Sequence, residues 1–234
     1  MIPALGLSEP VSSLSHYLGA VILSLLAFRL FARVDGSRRT RAAAFYLLGV
    51  CGMFLASGTY HLLEYGHPAR SLCWHLDHAM IWVCVSGTIA AVYVLADLQP
   101  AHGARTVWAI GLCGLVAEQV ALQVLPPYVS PLLYIAMGWV GWFPLRRLVR
   151  RHGLAFAAPL LWAAIASTLG GLVDALEAPV LVPRVVEGHE VMHLLILSGM
   201  LLFYWAVERC AGLESAPAGA PAEDAAVEPE FAGA

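Results

Sequence analysis

Long apolar runs limit what this chain can fold into more than any other feature of its sequence. Seven runs approach the roughly 20 residues that an α-helix needs to cross the hydrocarbon core of a bilayer. Because backbone groups find no water in that core, each run is predicted to form a helix. The runs span residues 14–31, 42–63, 77–98, 105–125, 129–145, 154–174 and 187–208.

The composition also indicates a membrane protein. Hydrophobic residues make up 60% of the 234 residues and charged residues only 12%, whereas soluble domains average about a quarter charged residues. We therefore predict an all-α integral membrane protein with a seven-helix transmembrane bundle and a zinc site near one membrane face. Its parts are a short N-terminal segment (1–13), the bundle (14–208) and a C-terminal tail (209–234) that is expected to be disordered because it has little to bury.

The basic residues, which are all arginine, predict the orientation of the chain. Short cytoplasmic loops of membrane proteins carry an excess of basic residues. In the predicted topology eleven arginines flank one membrane face, whereas Arg70 and Arg184 flank the other. We therefore expect a multi-pass protein of the inner membrane with its N-terminus outside and its C-terminus in the cytoplasm.

Polar and ionisable side chains lie at the ends of several apolar runs, in residues 57–61, 75–78 and 189–193. Such side chains are costly beside hydrocarbon and therefore mark a functional site by default. Even-numbered helices end, and odd-numbered helices begin, at the same membrane face. The three stretches are therefore expected to lie at one depth near one surface.

The spacing of the histidines predicts a metal site. His189 and His193 are four residues apart and so project from one helix face, as do Ser57 and His61. The histidine pair and His61 could supply three nitrogen ligands, and three protein ligands with an open fourth position are typical of catalytic zinc. Zinc lowers the pKa of a bound water to about 7, and Asp77 could take its proton or orient it. Ser57 could donate to a substrate carbonyl or support a ligand.

The same groups also fit a proton or ion pathway without a metal, and this alternative stays open. Glu118, midway along the fourth run, is a candidate for lining a cavity or for an acid hydrogen-bonded between helices. Glu190 points about 100° round the helix from the histidine pair and is not counted as a ligand. His75 and His78 are candidates only for supporting the site. The remaining histidines are interpreted as interfacial: His16, His67, His102 and His152.

Three blocks of the sequence resemble a known family. The blocks are Ser57-x-x-x-His61, Leu76 to Ile81 followed by Ser86-Gly87-Thr88, and Gly188-His189-Glu190-x-x-His193-Leu194. Together they resemble the signature blocks of the hemolysin III proteins. These belong with the progestin and adipoQ receptors, which include the adiponectin receptors, and more distantly resemble alkaline ceramidases. The resemblance covers about residues 14–208.

The resemblance implies a seven-helix bundle that holds zinc through His61, His189 and His193, with Asp77 and Ser57 beside the zinc-bound water. The ceramidase-like and adiponectin-receptor members imply hydrolysis of a lipid amide bond, and the hemolysin III name implies cytolysis. The expected cofactor is Zn²⁺, and the expected partners are a membrane lipid substrate and the bilayer, without nucleic acid. The oligomeric state does not follow from the sequence.

Two departures from the family pattern stand out. The last helix lacks a further histidine that many members carry, and the arginine distribution places the site towards the outer face, unlike in adiponectin receptors. The leading interpretation is an integral membrane zinc hydrolase of the hemolysin III type, acting on a lipid amide or ester. The alternatives are a cytolytic or pore-forming protein with structural zinc, and a proton-coupled sensor or transporter without metal.

Overall fold

A computed structural model describes residues 9–121, 124, 126–183 and 185–213. Within these ranges the chain is helical and contains no strand, which confirms the predicted all-α class. The predicted tail from residue 214 onwards, residues 1–8 and Arg184 lie outside the described residues. The helices are α1 (Pro10–Phe31), α2 (Gly36–Leu62), α3 (Arg70–Leu95), α4 (Gly103–Ala121), α5 (Val129–Trp139), α6 (Trp142–His152), α7 (Leu154–Ala175) and α8 (Gly188–Ala211).

Among the described residues, five helices are long and apolar enough to cross a membrane, namely α1, α2, α3, α7 and α8. The predicted fifth span, 129–145, is divided between α5 and α6. Pro144 explains the break, because proline has no N–H to donate to the carbonyl of Val140 and its ring clashes with that carbonyl. At the break the N–H of Gly141 bonds instead to the carbonyl of Gly138, 2.9 Å away.

Helix α3 lies at the centre of the bundle, where it contacts α2, α4, α5, α6 and α8. It packs closest against α2, because glycines occupy the crossing. A Cβ atom at Gly49 would lie 2.9 Å from the Cα of Cys84, and one at Gly87 would lie 3.1 Å from the carbonyl oxygen of Phe45. Close approach through small residues is a common way for membrane helices to associate.

Side-chain contacts bring five helix ends together at one end of the bundle. Glu9, directly before α1, bonds to His61 at the end of α2 and to Arg70 at the start of α3. His189 at the start of α8 bonds to Asp174 near the end of α7. The beginnings of α1, α3 and α8 and the ends of α2 and α7 therefore meet.

At the opposite end Arg39 joins two helix C-termini. Its guanidinium donates to the carbonyls of Leu95 (2.8 Å), Ala211 (2.7 Å) and Leu213 (3.1 Å). The last carbonyls of a helix lack partners within the helix and carry partial negative charge. Arg39 satisfies such carbonyls at the ends of α3 and α8 together.

Replacing Arg39 by lysine is expected to lower the free energy of unfolding by about 1.5–3 kcal/mol. Lysine keeps the charge but offers a single ammonium group instead of a planar fork, so it cannot bond to both helix ends at once. Thermal unfolding in detergent measures the loss. Arg41→Lys is the matched control, since Arg41 lies on the same helix with an exposed side chain. An equal loss in both variants would contradict this role.

Candidate metal centre

Three imidazole rings meet where the five helix ends come together. His61 lies on the last turn of α2, and His189 and His193 lie on the first two turns of α8. One ring nitrogen from each lies within 4.8 Å of those of the other two. The ring centroids are 4.4, 4.8 and 5.1 Å apart. The structure thus brings together the three histidines whose spacing predicted a site.

Two of the three rings are oriented by carboxylates. Nδ1 of His61 bonds to a carboxylate oxygen of Glu9, and Nδ1 of His189 bonds to Oδ1 of Asp174 at 2.8 Å. Because a carboxylate accepts, each Nδ1 carries the proton, and in a neutral ring each Nε2 then carries a lone pair. The two Nε2 atoms are 3.4 Å apart.

His193 differs from the other two histidines. It is buried, and its Nδ1 makes no hydrogen bond within the described part of the chain. Its ring is held by packing against His61, His189 and His16. The three imidazoles are therefore not equivalent, since only two of them have a carboxylate partner.

Asp77 and Ser57, the two predicted catalytic residues, lie beside the histidines. Both are buried, and their side chains interact with each other. Ser57 is one turn before His61 on α2, and Asp77 is two turns inside α3, which begins at Arg70 rather than at residue 77. Both residues line the same cavity as His189 and His193.

This cavity has a volume of about 480 Å³. It follows α3 from Asp77 to Val92, which is about 22 Å along the helix at a rise of 1.5 Å per residue. Away from the histidines its wall is mostly apolar and includes Leu145 and Phe203. An apolar pocket with a few polar groups at one place is typical of a small-molecule binding site.

The start of α1 forms one wall of the site, which was not predicted. Glu9, Ser12, Ser13 and His16 are spaced so that they share one helix face, and all four are buried. Even-numbered spans end, and odd-numbered spans begin, at the membrane face that carries the histidines. By this rule the first helix also begins at that face. The signal was therefore present in the sequence, and the same rule would have found Asp174.

Hydrogen bonds tie this wall to α2 and α8. The hydroxyl of Ser13 donates to the carbonyl of Gly58 at 2.7 Å, and the hydroxyl of Ser12 donates to Glu190 at 3.0 Å. Glu190 also accepts from the backbone N–H of Glu187 and so caps the start of α8. As predicted, Glu190 does not belong to the histidine group.

The interpretation of His16 as an interfacial residue is wrong. The residue is 4% exposed, and its ring centroid lies 4.2 Å from that of His193 and 5.3 Å from that of Phe54. α1 packs between α2 and α8, which turns this face of the helix inwards. When a single histidine lies in an apolar helix, the surrounding sequence does not show which face of the helix carries it.

Glu118 is held between helices and does not line the cavity. The residue is 2% exposed, and its carboxylate accepts from the indole N–H of Trp82 and from the hydroxyl of Tyr134 at 2.8 Å. Tyr134 is the member of this group that reaches the cavity. Of the two interpretations of Glu118, the structure favours the acid bonded between helices.

His75 and His78 stay outside the histidine group. Nδ1 of His78 bonds to the carbonyl of Trp74 at 3.0 Å, and its ring lines the cavity. Nδ1 of His75 bonds to the side chain of Gln119 at 2.9 Å.

Glu9 carries a negative charge. Burial raises its pKa, but bonds from His61, Tyr65 and Arg70 outweigh this effect and lower the pKa to about 2.

Comparison with known proteins gave one family. A sequence model described as haemolysin-III related matches residues 7–204. The matched region includes Glu9, the three histidines of the centre, Ser57 and Asp77. No curated protein matches the chain.

Proposed function

Because the chain belongs to the haemolysin-III related family, we propose that it is an integral membrane zinc hydrolase that cleaves an amide or ester bond of a lipid. The apolar helices make it a multi-pass membrane protein. The proposal includes seven spans: the five long helices, α4, and α5 together with α6 as one broken span. The following paragraphs give the observations that support it.

The observation that carries the proposal is the arrangement of His61 and His189. Their Nε2 lone pairs face a gap of 3.4 Å, which is unfavourable unless a cation lies between them. Bonds of 2.0–2.1 Å to a tetrahedral zinc ion separate two ligand nitrogens by about 3.3–3.4 Å. The residues present therefore fit a zinc ion.

A shared proton between His61 and His189, as in the proton-pathway alternative, would satisfy only two rings. The third imidazole, His193, would then have no part in the arrangement. Three nitrogen donors around one point match the donor set of catalytic zinc sites. The number of donors thus favours a metal over a proton.

The charges around the histidines also favour a cation. Four carboxylates surround them: Glu9, Asp77, Asp174 and Glu190. Arg70 is the only arginine that bonds to any of these carboxylates within the described residues. Three of the four, Glu9, Asp77 and Glu190, are buried. Buried carboxylates without compensating charge are costly, and a divalent ion would supply the charge that one arginine does not.

The chain's own residues have distinct roles in this proposal. Zinc, when bound, would supply a Lewis acid and a water of lowered pKa. Asp77 accepts a proton from the water that attacks the substrate carbonyl, as a general base, and returns it to the leaving amine or alcohol as the C–N or C–O bond breaks. Ser57, beside Asp77 and one turn from His61, donates its hydroxyl to the carbonyl oxygen. The apolar cavity holds the lipid chain and keeps it aligned with these groups.

Metal analysis and lipid assays test the proposal together. We expect purified protein to contain one zinc ion per chain and to release fatty acid from an N-acyl sphingoid lipid or from a matched fatty acid ester. A chelator should stop the reaction and added zinc should restore it. Protein without zinc would overturn the proposal. Bound zinc without turnover of either lipid, but with dye leakage from vesicles, would favour the cytolytic alternative.

The proposed orientation places the metal centre towards the outer face, with the C-terminus in the cytoplasm. It rests on the arginines. Arg151 at the end of α6 bonds to the carbonyl of Ala96 after α3, and Arg39 bonds to the end of α8, both at the end of the bundle opposite the histidines. Cytoplasmic loops carry such an excess of basic residues. A topology reporter fused after residue 213 should be active in the cytoplasm, and activity outside would reverse the orientation.

A further inference from the structure

The carboxylate of Glu9 connects the start of α1 to the metal centre. The residue is 6% exposed, and one of its carboxylate oxygens bonds to Nδ1 of His61. The other oxygen accepts from the hydroxyl of Tyr65 at 2.7 Å and from the guanidinium of Arg70 at 2.9 Å. The backbone N–H of Glu9 also donates to the carbonyl of His61 at 3.2 Å. Glu9 therefore contacts His61 through both its backbone and its side chain.

Arg70 fixes the position of the Glu9 carboxylate. Its guanidinium donates to the carbonyls of Tyr60 and Leu63 at the end of α2. It also lies over the rings of Tyr60 and Tyr65, at 4.5 and 4.1 Å from their centroids. With these contacts on one side, the remaining oxygen of Glu9 has a defined direction, and that direction is towards His61.

We propose that Glu9 is a positioning residue of the metal centre, and this inference rests on the proposed zinc site. By accepting the Nδ1 proton of His61, Glu9 fixes the tautomer and the ring orientation that leave Nε2 free to bind metal. Carboxylates that hold ligating histidines in this way are a general feature of metal sites. Glu9 touches neither metal nor substrate and acts through His61 alone.

Asp174 makes the corresponding contact to His189, but in a more open place. The side chain of Asp174 is 27% exposed, whereas that of Glu9 is 7% exposed. Water screens an exposed pair more than a buried one. Loss of Glu9 is therefore expected to weaken metal binding more than loss of Asp174.

The same contact couples metal binding to the docking of α1. A metal that binds Nε2 of His61 favours the tautomer with the proton on Nδ1, and this tautomer bonds to Glu9. The coupling is reciprocal, so that metal binding favours the Glu9 bond and the Glu9 bond favours metal binding to the same extent. Metal binding should therefore stabilise the first turns of α1 against local opening, although none of their side chains belongs to the three-histidine group.

The test compares zinc affinities by competition with a chromogenic chelator. Glu9→Gln is expected to weaken zinc binding by about 10–100-fold, because the neutral amide is a weaker acceptor for the Nδ1 proton. Glu208→Gln is the matched control, since Glu208 is a similarly buried carboxylate paired with Arg29 and Arg33 at the opposite end of the bundle. Tyr65→Phe removes one bond to Glu9 but keeps its bonds to Arg70 and His61, so its affinity should fall much less than that of Glu9→Gln. The absorption spectrum of bound Co²⁺ should change in Glu9→Gln alone.

Three results would decide the inference. If wild-type protein binds zinc and Glu9→Gln binds it equally well, the inference is wrong and the proposed function stands. If wild-type protein binds no zinc, both are wrong. Should Glu9→Gln fail to fold, hydrogen exchange of residues 9–16 in the wild-type protein decides instead. Zinc should slow exchange there, and unchanged exchange would overturn the inference.

Discussion

Replacing His193 by alanine removes zinc from the purified protein, with a loss of affinity of more than about 100-fold. Changes in residues that merely support a metal ligand cost about 10–100-fold, so loss of a ligand itself should cost more. His193 gives the clearest test of the three histidines, because its Nδ1 bonds to no described residue. Its removal therefore breaks no bond to a carboxylate among the described residues, whereas removal of His61 would also break its bond to Glu9.

Zinc content by elemental analysis and affinity by chelator competition measure this effect. His78→Ala is the matched control, because His78 lines the same cavity but lies outside the histidine group. Thermal unfolding of both variants shows whether the fold is retained. Retention of zinc in a folded His193→Ala protein would exclude a centre built from the three histidines, and a shared proton between His61 and His189 would then become the better interpretation.

Replacing Asp77 by asparagine lowers lipid hydrolysis by about 10²–10⁴-fold, which is the usual contribution of a general base. Zinc remains bound, because Asp77 is not one of the three nitrogen donors. Asparagine has nearly the same shape but cannot accept a proton from water at neutral pH. Ser57→Ala should cost less, since it removes one donor and leaves the base in place.

Rates of fatty acid release by zinc-loaded protein measure both effects. Asp97→Asn is the control for the same chemical change, because Asp97 follows the other end of α3, near Arg38. Unchanged hydrolysis in Asp77→Asn and Ser57→Ala, with zinc still bound, would make the zinc structural and end the hydrolase proposal.

The helices and three of the residues around the site could be predicted because they depend on local pattern. Apolar length identified the helical regions, although the fifth is divided between α5 and α6, and spacing of four residues paired His189 with His193. The counting of helix ends then brought His61 to the same depth. None of these steps requires knowledge of which face of a helix points inwards.

The start of α1 and Asp174 could have been found by the same counting of helix ends, but the assignments of His16 and Glu118 depend on knowing which face points inwards. Leu18 is 54% exposed and Leu23 is fully buried, although both are leucines of the same apolar helix. In a membrane the lipid-facing surface is as apolar as the interior, so hydrophobic periodicity does not distinguish the two faces. For this reason the sequence alone assigned His16 to the membrane interface. Likewise, only the contacts with Trp82 and Tyr134 show that Glu118 is an acid bonded between helices and not a residue that lines the cavity.

The contacts of Arg39 have a consequence for how this sequence can vary. All three acceptors are backbone carbonyls, at Leu95, Ala211 and Leu213, and any amino acid at those positions offers the same oxygen. Selection that preserves these three bonds therefore acts on the side chain of Arg39 alone. At the other end of the bundle, one of the bonds between helices is made by two side chains, those of Glu9 and His61. Replacing either residue alone removes that bond, and His61 is also a proposed metal ligand, so related sequences that bind metal should keep both residues together.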